Sequence, residues 1–198
     1  MKKWLLLTLF LFTIIQNNYA SDELSPSSIP KGTEITLILP VNWTSSSQYN
    51  LVATIPGEFH PLQSLSDWGN KESTLIEFVP NDENGDNWSE IITLNKYIDK
   101  KISADSIVAY LKEKMLDLVK NGKILQENAS KEDNYQKASF ALSYDLDGKH
   151  EVINAVYYSG PYDAAGIQYT IRPKLGVSDQ EVLEKTDAFL KEHTTITP

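Results

Sequence analysis

The sequence predicts an α+β fold: a mostly antiparallel β-sheet packed by helices, in the manner of an α/β/α sandwich. Three observations predict it. Several segments alternate apolar and polar residues with the period of two that marks half-buried strands. Two others repeat apolar residues at helical spacing. The order is several strands, a helix, several strands, a helix, without the sustained strand–helix alternation that a doubly wound parallel sheet requires.

The chain opens with Lys2 and Lys3, an apolar run from Trp4 to Ile15, and Asn18-Tyr19-Ala20 with a small residue last. That three-part pattern predicts a secretory signal peptide over 1–20. The run is short for a spanning helix, which needs about 20 apolar residues. The alternative is an uncleaved N-terminal anchor. Residues 21–33, SDELSPSSIPKGT, are polar and rich in Ser and Pro, and read as a flexible lead-in. Residues 34–198 are then expected to form a single α+β domain.

Within that domain, Ile35, Leu37 and Leu39 alternate with polar neighbours, and so do Tyr49, Leu51, Ala53 and Ile55 up to Pro56-Gly57. Residues 57–72 read as a long irregular connection carrying His60, Asp67 and Trp68. Strands are expected at 73–79 and 88–97. Ser103 or Asp105 can cap a helix whose stripe is Ile107, Val108, Leu111, Met115, Leu118 and Val119, with Gly122 as the stop. Ala138, Phe140, Leu142, Tyr144 and Leu146 then alternate with polar residues up to Asp147-Gly148, a two-residue hairpin turn. That turn sets Leu146 against Lys149, Leu142 against Ile153, Phe140 against Ala155 and Asp145 against His150. A third strand alternates Ile167, Tyr169 and Ile171 with Gln168, Thr170 and Arg172. Ser178-Asp179-Gln180-Glu181 forms a capping box for a last helix with Val182, Leu183, Phe189 and Leu190 inward.

Composition narrows the function classes. Setting aside Lys2 and Lys3 takes the Lys and Arg count from 18 to 16 against 27 Asp and Glu, a net charge of −11. Such a chain repels phosphate backbones and anionic membrane surfaces, so no nucleic-acid partner is expected. There is no later stretch to hold it in a bilayer once a signal is cleaved. The chain has no cysteine, which excludes disulfides, thiol nucleophiles and thiolate metal sites. Its Asn, Lys and Ile content reads as that of a bacterial exported protein.

No complete catalytic or metal-binding constellation appears. Asp82-Glu83-Asn84-Gly85-Asp86 begins like a calcium loop, but Asn87 and Thr93 stand where such a loop needs Gly and a bidentate Glu. An exposed acidic turn is the expected state. The three histidines, His60, His150 and His193, have no local metal spacing. His150 opposite Asp145 is similar to the base and orienter of a triad, but a surface cross-strand pair accounts for it more simply. No G-x-S-x-G elbow and no phosphate loop is present. No catalytic residue, metal or cofactor is therefore assigned. The candidate ligand- or protein-binding residues are Trp68 and Tyr162, aromatics on expected loops, and His60 beside them in the irregular connection.

The stretch FVPNDENGDNWSEIITL, residues 78–94, resembles a pattern of the PsbP-like superfamily of small exported bacterial proteins, which also contains the Ran-binding Mog proteins. The pattern is apolar-x-Pro, Gly-Glu, a spacer, Asn-Trp and an apolar strand with Thr. Pro80, Glu83, Asn87, Trp88 and Thr93 match it, while Asp82 replaces the Gly. GIQYTIRP is similar to the late aromatic strand of that group. The resemblance implies an antiparallel sheet sandwiched by helices and a binding or assembly role, with no catalytic residue carried over. The expectation is an exported, periplasmic or secreted, non-enzymatic protein that binds a protein or small-molecule ligand. The alternatives are a secreted hydrolase using His60 and His150 with dispersed carboxylates, or a secreted virulence factor acting on a host partner.

Overall fold

The computed structural model describes residue 30 and residues 32–43, 48–63, 73–132 and 134–198. The expected signal peptide and nearly all of the lead-in lie outside the described residues. The elements run β1 (Ile35–Trp43), β2 (Gln48–Ile55), β3 (Phe59–Pro61), β4 (Ser73–Pro80), β5 (Glu90–Tyr97), α1 (Ala104–Leu118), β6 (Lys120–Lys131), β7 (Gln136–Leu146), β8 (Lys149–Ser159), β9 (Ala164–Ile171), α2 (Asp179–His193) and β10 (Thr194–Thr197). The fold is α+β and dominated by antiparallel sheet. A seven-stranded sheet in the order β3-β4-β5-β9-β8-β7-β6 is joined by a three-stranded sheet in the order β1-β2-β10.

The strand alternation sorts residues to two faces of the large sheet. Ile76, Phe78, Ile92, Leu94, Val156, Ile167 and Tyr169 point to one face and pack with Leu39, Leu51 and Ile55 of the small sheet and Val182 and Leu190 of α2. Phe140, Leu142, Tyr144, Ile153, Ala155 and Tyr157 point to the other, beneath Ile107, Val108 and Met115 of α1. One face therefore carries a helix, and the other carries a helix together with a small sheet. Burying aliphatic and aromatic side chains on both faces is the main force holding these layers, at about 1.5–3 kcal/mol for each large side chain.

The hairpin register follows the turn chemistry. Asp147 and Gly148 have φ of 51° and 79°, as a primed turn requires. Leu146 pairs with Lys149, Asp145 with His150, Leu142 with Ile153 and Phe140 with Ala155, all as the sequence predicts. Both helix starts also stand where expected. The Ser103 hydroxyl accepts from the Ser106 amide at 3.2 Å. Ser178 and Glu181 make the reciprocal capping box of α2.

Several boundaries differ from expectation. Gly122 is not the stop of α1: the helix ends at Leu118, Val119 donates to the Met115 carbonyl at 3.0 Å, and Asn121 takes the positive φ of 53°. The chain turns directly into β6, a strand the periodicity does not reveal. Its sequence, KNGKILQENASK, is exposed on nearly every residue. Two register irregularities, between Lys120 and Lys123 and between Ile124 and Gln126, break its phase. β3 interrupts the connection read as irregular, and β10 follows α2 without a loop.

Candidate functional site

The α1 face of the large sheet is only half covered by helix. α1 packs on β6, β7 and β8. Over β4, β5 and β9 no helix packs on this face among the described residues, and this half of the face mixes polar and apolar side chains. In register, Glu77 pairs with Thr93 and Thr93 with Gln168, so three polar side chains form a row across three strands. The row on one side places Ile91 beside Thr170 and Thr170 beside Ile153. The row on the other places Leu75 beside Asn95, Asn95 beside Gly166 and Gly166 beside Tyr157.

A cleft of about 290 Å³ lies between this floor and α1. Tyr110, Leu111, Met115 and Leu118 roof it, with Leu111, Met115 and Leu118 spaced four and three apart along one helix face. Trp88 and Ile91 wall one side, with Tyr144 on the floor toward β7. Tyr110 and Leu118 are exposed, Leu118 at 54 %, so the roof presents apolar surface to the mouth of the cleft. Lys114 and Asp117 stand at the same lining, and Lys114 Nζ lies 5.8 Å from the Tyr110 ring centroid.

The floor is held rigidly. Gln63 grips Glu77 twice: its Oε1 accepts from the Glu77 amide at 2.9 Å, and its Nε2 donates to Glu77 Oε2 at 3.3 Å. Burial pushes the Glu77 carboxyl above its ordinary pKa of 4.5, and the hydrogen bond from Gln63 offsets only part of that. The buried Tyr157 hydroxyl accepts from Asn95 Nδ2 at 3.2 Å and also from Gln168 Nε2. Trp88 is fixed from behind. The Arg172 guanidinium carbon sits 3.5 Å from its ring centroid, and Arg172 donates to the Trp88 carbonyl at 2.8 Å. Arg172 Nε in turn donates to Glu151, which is fully buried, at 2.9 Å.

A second hollow, of about 720 Å³, opens on the opposite face between α2 and β6, β7 and β8. Its buried Asn154 already donates to Asp187 at 2.7 Å and Thr186 at 3.2 Å, so its main polar group is spent within the protein.

The residues singled out from sequence fall elsewhere. Trp68 lies outside the described residues. Tyr162 is exposed, on the loop between β8 and β9, where its carbonyl accepts from the Lys101 amide at 2.9 Å and Lys101 Nζ stands 5.5 Å from its ring. It does not line the cleft. His60 pairs with Val79 on the edge strand β3, and its Nδ1 is buried with no hydrogen-bond partner among the described residues. The acidic turn closes on itself: Glu83 accepts from the Ser89 amide at 2.5 Å and hydroxyl at 2.7 Å, and Asn84 Oδ1 accepts from Asp86 and Asn87. No group of three or more metal-ligating side chains occurs among the described residues.

The structure does not bring His60 and His150 together. Three strands, β4, β5 and β9, separate β3 from β8. His150 lies between two carboxylates, with Nδ1 2.8 Å from Asp145 and Nε2 2.7 Å from Asp179. Both ring nitrogens are engaged, which leaves neither to take a proton from a nucleophile. The pair expected from the hairpin register is thus real, and Asp179 at the start of α2 completes it. Burial lowers the His150 pKa, but the hydrogen bonds that its ring donates to Asp179 and Asp145 outweigh it and the net shift is upward. A raised histidine stabilises the fold fully below its unfolded value near 6.5 and loses that stabilisation as pH rises through the folded value. His150→Ala should therefore lower the Tm more at pH 5.5 than at pH 9. Equal losses at both pH values in a thermal melt would show that the imidazolium contributes nothing.

The cleft floor was not singled out from sequence. Its signal is the polar half of the alternation in β5 and β9, Thr93 and Asn95, Gln168 and Thr170, which reads the same for a solvent face as for a recess.

No protein-family model and no curated protein matches the chain. Solved structures with a similar chain path include LpqN, involved in cell envelope biogenesis of Mycobacterium tuberculosis. It is 16 % identical, with a TM-score of 0.48 over 82 % of this chain and 92 % of that one. Cyanobacterial PsbP (CyanoP) from Synechocystis sp. PCC 6803 is 9 % identical, with a TM-score of 0.49 over 87 % of this chain and 99 % of that one. The Saccharomyces cerevisiae Ran-binding protein Mog1p is 13 % identical, with a TM-score of 0.42 over 77 % of this chain and 84 % of that one. Each is a partial likeness of chain path, at 16 % identity or less.

Proposed function

We propose that the protein is a non-enzymatic binding protein working outside the cytoplasm, and that it holds a small, largely apolar ligand in the cleft between α1 and the large sheet. The carrying observation is the cleft itself: an apolar roof of Tyr110, Leu111, Met115 and Leu118 over a floor of few, fixed polar groups. Ligand sites are built this way, with apolar walls for affinity and a few placed polar groups for orientation. A floor whose Asn95 and Gln168 side chains are already tethered to Tyr157 has little ordering entropy left to lose on binding. The separation of His60 from His150, and the double engagement of His150, favour binding over hydrolysis. Export rests on the basic, apolar and small-residue pattern of 1–20. Among the described residues no helix is long and apolar enough to cross a membrane.

Decan-1-ol is a suitable neutral probe, because a water-sized group takes up about 30 Å³ and the cleft then holds roughly ten heavy atoms. Titration followed by NMR should show saturable shifts at Thr93, Asn95, Met115 and Thr170, with Tyr162 unmoved. Shifts that fail to saturate, or that avoid these residues, would sink the reading.

A further inference from the structure

Among the described residues the cleft carries one carboxyl group in its floor. Glu77 stands at the end of the Glu77–Thr93–Gln168 row, and the other floor groups, Thr93, Asn95, Gln168 and Thr170, are uncharged. Of the charged groups at the mouth, Asp117 repeats the sign of Glu77 and Lys114 opposes it. Gln63 spends its amide on Glu77 through one oxygen, Oε2, and among the described residues no basic side chain forms an ion pair with this carboxylate. Folding has already stripped much of the water from this carboxylate, so a ligand cation meets an acceptor that is already largely desolvated. The chain as a whole is acidic, at a net charge of −9, which concentrates cations and repels anions near the mouth.

Resting on the proposed binding role, we infer that the ligand is a small amphiphilic amine, with its alkyl or aryl body under Tyr110, Met115 and Leu118 and its ammonium group on Glu77. A carboxylate acceptor facing an ammonium donor makes a charge-assisted hydrogen bond, about twice as strong as a neutral one. A lysine side chain of a protein partner offers the same head group. It brings only a short stem, however, and leaves most of a cleft of about 290 Å³ unfilled, so the free small molecule is the better occupant.

Isothermal titration with decylamine, decan-1-ol and decanoate separates the two levels of this reading. The expected order is amine, alcohol, carboxylate, with the amine about tenfold or more tighter than the carboxylate. Glu77→Gln should bring the amine down to the alcohol, and the alcohol's own binding to that variant shows that the cleft is still formed. Amine and carboxylate binding equally, or an amine preference that survives Glu77→Gln, overturns the amine inference and leaves the cleft reading in place. Failure of all three probes overturns both. N-acetyl-lysine methylamide should not displace decylamine at equal concentration; displacement overturns the small-molecule assignment in favour of a protein-borne lysine.

Discussion

Replacing Arg172 with methionine should destabilise the protein by about 3–5 kcal/mol, the largest effect expected of any single polar substitution here. Glu151 is 0 % exposed, and Arg172 Nε is its hydrogen-bonded cation at 2.9 Å. Methionine keeps much of the arginine stem's packing but leaves a carboxylate in the interior without a counter-charge. The pair itself need not be a net gain, since two desolvated charges consume most of their mutual attraction. Glu151→Leu combined with Arg172→Met should therefore recover most of the loss, and urea denaturation of the two variants measures the difference. The pH dependence has a defined sign. Burial holds the Glu151 pKa above 4.5, while Arg172 opposes that rise. A raised carboxyl favours the fold when protonated, so its contribution is lost as pH climbs from the unfolded value through the folded one. Removing Arg172 lifts the folded value further. The deficit of Arg172→Met should shrink at pH 4.5 relative to pH 8, and a deficit constant across that range would show that Glu151 is not the group left exposed to the interior.

The same residues show where the sequence was readable. Asp147-Gly148 fixed a register that propagates to every pair of β7 and β8, because a two-residue primed turn allows one alignment and both Leu142–Ile153 and Phe140–Ala155 reward it. The helix caps were readable because Ser103, Ser178 and Glu181 act on amides three residues away. What was hidden depends on distance in the chain. Glu77, Thr93 and Gln168 become one row only when β5 is inserted between β4 and β9, a pairing that no local pattern encodes. Arg172 continues the polar alternation of Gln168 and Thr170 and gave no sign that it reaches back to Trp88 and Glu151. β6 escaped because an edge strand exposed on both faces has no apolar period to detect. Trp68 and Tyr162 stand out in the sequence as aromatics on expected loops, whereas the cleft is built on strands, a helix and Trp88 just before β5.

Gly166→Ala should cost about 3 kcal/mol, at the upper end of what overpacking a core usually does. Gly166 pairs with Tyr157 on β8 and with Asn95 on β5, in the centre of the large sheet. The Tyr157 ring lies flat over it: a Cβ built there would stand 2.2 Å from Cδ1 and 2.4 Å from Cε1. The ring is fully buried and has nowhere to go. A glycine under an aromatic ring is a packing slot, in which the neighbour's ring supplies the surface that the missing side chain would have covered. Displacing the ring also moves its hydroxyl, the shared acceptor of Asn95 and Gln168, and those two side chains are part of the cleft floor. Loss of stability and loss of decan-1-ol binding should therefore appear together in Gly166→Ala, measured well below its lowered Tm. Tyr157→Phe divides them, since it keeps the ring in its slot and removes only the acceptor. It should leave two donors under-satisfied, at about 1–3 kcal/mol, and weaken the probe without the steric penalty. Adding Tyr157→Leu to Gly166→Ala makes room for the methyl group, so the double variant should be more stable than the sum of its parts allows. Strict additivity of the two would mean that the ring does not rest on the glycine, and that the floor of the cleft is held by something other than this slot.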